Sequence, residues 1–137
     1  MRTASKVMFS ALLLMLAACA GNSEKESGIA KNDAIDDYIK VAELKNIEQI
    51  RVKRQLHHKV ITEQYILIYD DRVPYLAVFT RRCHELNETE VKPDYRHDAN
   101  SLYAKFDTYR GCRLGALYEV SNGQAVELLD LGKTSTQ

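Results

Sequence analysis

Tryptophan is absent from this chain, and proline occurs only twice and glycine six times among 137 residues. So few breakers exclude a collagen-like or Pro/Gly-rich disordered chain and leave room for uninterrupted strands and helices. The glycines compose no phosphate-cradling G-x-x-x-x-G-K-[ST] or G-x-G-x-x-G loop, and neither G-x-S-x-G nor H-E-x-x-H occurs. An excess of one charge is also missing, with 19 basic residues against 19 acidic ones. That balance gives no support for nucleic-acid binding, and the basic pairs read as scattered rather than striped. No apolar run reaches the roughly 20 residues of a membrane-spanning helix. Cysteine is scarce as well: Cys19, Cys83 and Cys112 are the whole set.

What is present begins with an address. Arg2 and Lys6 precede an apolar core from Val7 to Leu16, and the small residues Ala17 and Ala18 follow. This is the layout of a secretory signal, so residues 1–18 are set aside from fold reasoning. Leu16-Ala17-Ala18-Cys19 resembles the lipobox of bacterial lipoproteins, in which the cysteine thiol receives a diacylglycerol and the chain is cut just before it. Each buried methylene contributes about 0.8 kcal/mol, so several palmitate-type chains hold a protein at a bilayer where one holds it marginally. Ala20 after the cysteine, rather than Asp, implies by the same resemblance an outer-membrane address on the periplasmic face. The polar run that follows predicts a flexible tether over residues 19–31, because it has too little apolar surface to offset its ordering entropy.

Residues 32–137 then form one small domain, long enough for one core. Ile35, Tyr38, Ile39 and Ala42 recur at helical spacing, and Asp33, Asp36 and Asp37 crowd the first turn, so a helix is expected over Asp33–Lys45 with Asn32 or Asp33 as its cap. Periodicity then shifts to two. Ile47–Val52, Tyr65–Tyr69 and Tyr75–Thr80 read as strands, the last two apolar on both faces and joined by a hairpin at Asp70–Pro74. Leu86–Asn100 is polar and reads as a long surface connection. Leu102, Ala104 and Phe106 alternate with Tyr103, Lys105, Asp107 and Tyr109, which predicts a half-buried strand, and Cys112–Val120 predicts another. Residues 125–131 fit a strand or a helical turn equally. The sum is an α+β domain with one N-terminal helix on a small antiparallel sheet of roughly four to six strands; a β-barrel with a helical plug is the alternative.

With Cys19 assigned to lipid, Cys83 and Cys112 are most simply a disulfide in an oxidising compartment. Closing that loop contributes roughly 3.5 to 4 kcal/mol in the loop-entropy model. The pair lacks the C-x-x-C spacing of a redox catalyst.

Tyr75-Leu76 leading to Cys83-His84-Glu85-Leu86, then Phe106-Asp107, then Cys112-Arg113-Leu114-x-x-Leu117-Tyr118 together resemble a family of proteobacterial lipoproteins whose domain has no assigned function. The chain departs from that pattern in having no Trp before the central hairpin. The resemblance covers about Ile35 to Val120 and implies location and fold; it brings no catalytic residues.

Candidate chemistry is sparse. His57 and His58 are adjacent and on a strand point to opposite faces, so they do not chelate one ion together, and no metal site is expected. Asp70 and Asp71 sit where hairpin turns use Asp for backbone bonding. Asp94, His97 and Asp98, with His84, are the best rival for a small hydrolase or metal-dependent enzyme, though no nucleophile context accompanies them. Tyr103, Lys105, Asp107 and Tyr109 on one strand face are the candidate interaction surface for an envelope partner. The expectation is therefore a lipid-anchored, non-enzymatic binding or scaffold protein with no cofactor beyond the lipid on Cys19.

Overall fold

The protein is described here from a computed structural model, which covers residues 23–90 and 92–133. Cys19 and the signal segment lie outside the described residues. Helix α1 spans Ser23–Val41, and strands β1 (Asn46–Ile47), β2 (Gln49–Arg51), β3 (Leu56–Val60), β4 (Tyr65–Asp70) and β5 (Val73–Phe79) follow. After a 3-10 turn at His84–Asn87 come β6 (Ser101–Tyr103), β7 (Thr108–Tyr109), β8 (Cys112–Glu119) and helix α2 (Asn122–Lys133). The fold is α+β and every strand pair is antiparallel.

The main sheet runs β1-β8-β5-β4-β3, with β7 paired to β8, while β2 and β6 form a separate ribbon. The sheet is open, with β1 and β3 at its edges, rather than closed into a barrel. As expected of central strands, β4 and β5 are buried on both faces. Leu67, Leu76, Tyr65 and Val120 join Ile35, Ala125 and Leu128 of the helices in one core. Ile66, Ile68, Ala77, Phe79, Leu114 and Leu117 join Ile50 and Leu102 of the ribbon in the other. Side chains alternate across a strand, so one run of apolar residues feeds two cores. Register shifts between Val78 and Phe79 opposite β8, where Gly115 stands in the bulge; a Cβ there would lie 3.3 Å from the Val78 carbonyl.

Three expectations about the helices change. Helix α1 starts at Ser23, so Ser23–Lys31 is helical where a tether was expected and neither Asn32 nor Asp33 is its cap. The Glu, Lys, Ser and Ala residues of this stretch are fair helix formers once tertiary contacts supply an anchor. Asn32 is that anchor: it accepts from Thr62 Oγ1 at 2.8 Å and donates to Gln64 at 3.2 Å. The helix also stops earlier than Lys45. Leu44 N–H donates to Ile39 C=O and Glu43 N–H to Lys40 C=O, the paired bonds of a Schellman end, with Glu43 at φ 49 where glycine is usual.

Residues 125–131 fall in a second helix. Ser121 Oγ accepts from Gln124 N–H at 3.1 Å, and Gln124 Oε1 accepts from Ser121 N–H at 2.8 Å, a reciprocal capping box. At the far end Gly132 passes so close to β3's exit that a Cβ would stand 2.7 Å from Ile61. Tyr38 bonds Glu127 across the two helices, and Tyr65 Oη donates to Asp36 at 2.5 Å. Burial, with those carboxylates beside them, pushes Tyr38 up to about 12 and Tyr65 higher still, so both phenols stay protonated donors.

Candidate functional site

Cys83 and Cys112 form the expected disulfide, with Cα atoms 5.8 Å apart and both residues fully buried. It ties the segment after β5 to the start of β8. Glu85 Oε2 lies 3.0 Å from Cys112 Sγ and is held by Arg81 at 2.6 Å, and that guanidinium keeps the Glu85 carboxyl down at about 2. Cys83, Cys112 and Glu85 form a metal-sized cluster, but with both sulfurs in the disulfide neither is a thiolate.

The strand face expected to carry Tyr103, Lys105, Asp107 and Tyr109 is broken up. The strand ends at Tyr103, a turn occupies 104–106 with Lys105 at φ 70, and a new two-residue strand starts at Thr108. Crossing the turn inverts the burial phase. Phe106, expected inside, is 74% exposed, whereas Asp107 is 1% and Tyr109 5% exposed. Asp107 is the reason the turn holds: its carboxylate accepts Tyr103 N–H at 2.6 Å and His97 N–H at 2.5 Å. These four residues therefore present no common surface; Lys105 is exposed, Tyr103 half-buried and the other two belong to the interior.

The loop carboxylates are likewise committed to backbone. Asp94 accepts Arg110 N–H, Asp98 accepts Asn100 N–H at 2.9 Å, and His97 lies edge-on to Tyr103. His84 lies apart from them, 3.5 Å from Glu63. Asp70, buried at the end of β4, accepts Lys53 N–H at 3.1 Å and Arg54 N–H at 2.9 Å, fastening the loop before β3 to the hairpin. Asp71 occupies the hairpin tip at φ 60, a conformation Asp tolerates better than most residues. Asp71 thus serves the turn, as expected, whereas the Asp70 carboxylate bonds the backbone of a different loop.

What the structure does gather is a basic strand edge. Between Glu48 and Glu63 the chain carries Arg51, Lys53, Arg54, His57, His58 and Lys59 and no acid. Asp70 draws Lys53 and Arg54 to the β4–β5 hairpin, whose tip adds Arg72. Beside it lies a shallow hollow of about 360 Å³ lined by His57, His58, Lys59, Tyr69, Asp71 and Arg72. Lys59 Nζ sits 5.5 Å from the centre of the Tyr69 ring. Among the described residues, Lys53, Arg54, Lys59 and Arg72 make no salt bridge, in contrast to Lys40, Lys45, Arg81, Lys92 and Lys133.

Behind this edge, His58 Nδ1 and Tyr109 Oη are 3.0 Å apart. Burial holds the tyrosine up at about 12, with the Asp94 charge adding to it, so the phenol donates and Nδ1 accepts. Burial also depresses His58 below its usual 6.5, and Arg110 adds to this, so the ring is neutral at pH 7. Asp94 is raised by its own burial, against the bond from Arg110 N–H. Sequence reasoning passed over this edge because it weighed whole-chain charge. The acid-free window around β3 was the available signal.

No protein family, no curated protein and no solved structure matches this chain.

Proposed function

We propose that the chain is a lipid-anchored lipoprotein of the bacterial envelope, a non-enzymatic binding or scaffold module moored at the periplasmic face of the outer membrane through acyl chains on Cys19. The observation that carries this reading is Leu16-Ala17-Ala18-Cys19, which closes an apolar segment and is followed at once by polar residues. A buried disulfide between Cys83 and Cys112 suits the oxidising compartment to which such a leader sends a protein. Helix α1 begins at Ser23, four residues after the acylated cysteine, so the anchor and the folded body lie within about 15 Å of chain. A binding role agrees with a domain whose loop carboxylates serve its own backbone while Lys59 and Arg72 beside β3 form no salt bridge among the described residues.

The test is metabolic labelling with a palmitate analogue, followed by membrane fractionation. Label on the wild type that disappears in Cys19→Ala, with release of the variant from the outer-membrane fraction, is the expected result. An unlabelled wild type, or label that survives the substitution, overturns the reading.

A further inference from the structure

The outer side of β3 is the place where the fold stops short of satisfying itself. β3 ends the sheet, and among the described residues no backbone group of Leu56–Val60 bonds anything beyond β4. Ile61 N–H donates to Tyr65 C=O at 3.0 Å. The alternation of an antiparallel ladder therefore places His57 and Lys59 in the bonded pairs with Tyr69 and Leu67, and turns the backbone groups of Leu56, His58 and Val60 outward. The opposite edge differs: β1 has two residues, Lys45 beside it pairs Glu119 at 3.2 Å, and the strand offers little length for pairing. β3 has five residues and Val60 is 45% exposed, so it offers a usable row of donors and acceptors.

We infer that this edge takes up an extended acidic segment of a partner protein as an additional strand. The backbone row supplies affinity without sequence preference, and the charges supply selection. Lys59 and Arg72 line the hollow beside the row, where Asp71 is the one carboxylate in the lining, and Asp70 holds the backbone of Lys53 and Arg54 in the loop that leads into β3. A second copy of this chain is a poor occupant, because edge-to-edge pairing of two β3 strands sets like charges against each other. Anionic lipid headgroups match the charge but have no backbone to pair with Leu56, His58 and Val60. The inference supplies the partner chemistry for the binding role proposed above and rests on that reading. Its test is independent of the anchor, so labelling at Cys19 and peptide binding fail separately.

The experiment uses the purified full-length lipoprotein in detergent and three fluorescent octapeptides: alternating Glu-Val, alternating Lys-Val, and the Glu-Val peptide with two central prolines. The Glu-Val peptide is expected to bind, to weaken with added salt, and to slow hydrogen exchange at the Leu56, His58 and Val60 amides. The other two peptides are expected not to bind. The Arg54→Glu/Lys59→Glu variant should lose roughly tenfold in affinity, as removal of two steering charges implies. Equal binding of the proline peptide, or Glu-Val binding without protection of those three amides, overturns the inference. So does binding to phosphatidylglycerol vesicles with no binding of any peptide, and so does dimerisation that protects the same amides. The peptide comparison decides the matter even if the charge-reversal variant fails to fold.

Discussion

The helix-covered face of the sheet and the face beneath the β2–β6 ribbon are held by different means. On the first, Ile35, Leu128, Leu67 and Leu76 are fully buried, and each such side chain contributes about 1.5 to 3 kcal/mol on leaving water. Helices satisfy their own backbone, so polar side chains are needed there only at ends and rims: the Ser121–Gln124 box and the Tyr38 and Tyr65 bonds. The second face is covered largely by short strands and turns, whose N–H groups have no ladder to join. Buried carboxylates take that place, Asp70 for residues 53 and 54 and Asp107 for residues 97 and 103, and the disulfide closes the same region covalently. Regular elements allow an apolar cover, whereas irregular cover requires charged acceptors inside it.

The contrast is broken most directly at Asp107. Asp107→Ala leaves the Tyr103 and His97 N–H groups, both only partly buried, without their acceptor and is expected to cost about 2 to 4 kcal/mol. Asp107→Asn retains an acceptor and should cost less. Urea unfolding checks both, and a loss below about 1 kcal/mol for the alanine variant would show that the loop cover does not depend on its carboxylate.

On the helix side the expected change is smaller and of opposite sign. Glu43 is exposed, makes no side-chain hydrogen bond or salt bridge among the described residues and holds the left-handed position that ends α1. Glu43→Gly should therefore stabilise the protein by about 1 kcal/mol, relief of the Cβ clash exceeding the added freedom of the unfolded chain. A lower midpoint in thermal unfolding would mean that the Schellman end is not under strain.

The smallest effect concerns pH on the ribbon side. His58 has a folded pKa below its ordinary 6.5, so the unfolded chain takes up the proton first. Stability is then full above 6.5 and declines as pH falls below it toward the depressed folded value. Asp94, raised in the fold, acts in the other direction and at lower pH, where the folded protein protonates first. His58→Gln should flatten the stability profile where it begins to fall, just below pH 6.5, while leaving its more acidic part in place. An unchanged slope in that window would assign it to another group.

Much of the architecture was legible in the sequence because its cause is local. The both-faces-apolar runs of β4 and β5 and the hairpin at Asp70–Pro74 follow from residue type at short spacing. The start of α2 is local too, since Ser121 and Gln124 stand at capping-box spacing, although Asn122 and Gly123 between them are residues that favour a turn. Phe106 shows where such reading fails. Alternation assigns a face only while a strand continues, and the turn at Lys105 is fixed by Asp107 reaching Tyr103 and His97, a choice no two-residue pattern encodes.

By itself the chain's sequence determined the α+β class, the central strands and the pairing of Cys83 with Cys112. Tertiary structure alone decided that residues 23–31 are helical, that Asp107 and Tyr109 are interior, and that Lys59 and Arg72 line one hollow beside the β3 edge. The physical reason is range. Periodicity, caps and breakers act within a few residues, whereas Asn32 against Thr62, Asp70 against Arg54 and Tyr109 against His58 are contacts between segments that only the folded chain brings together.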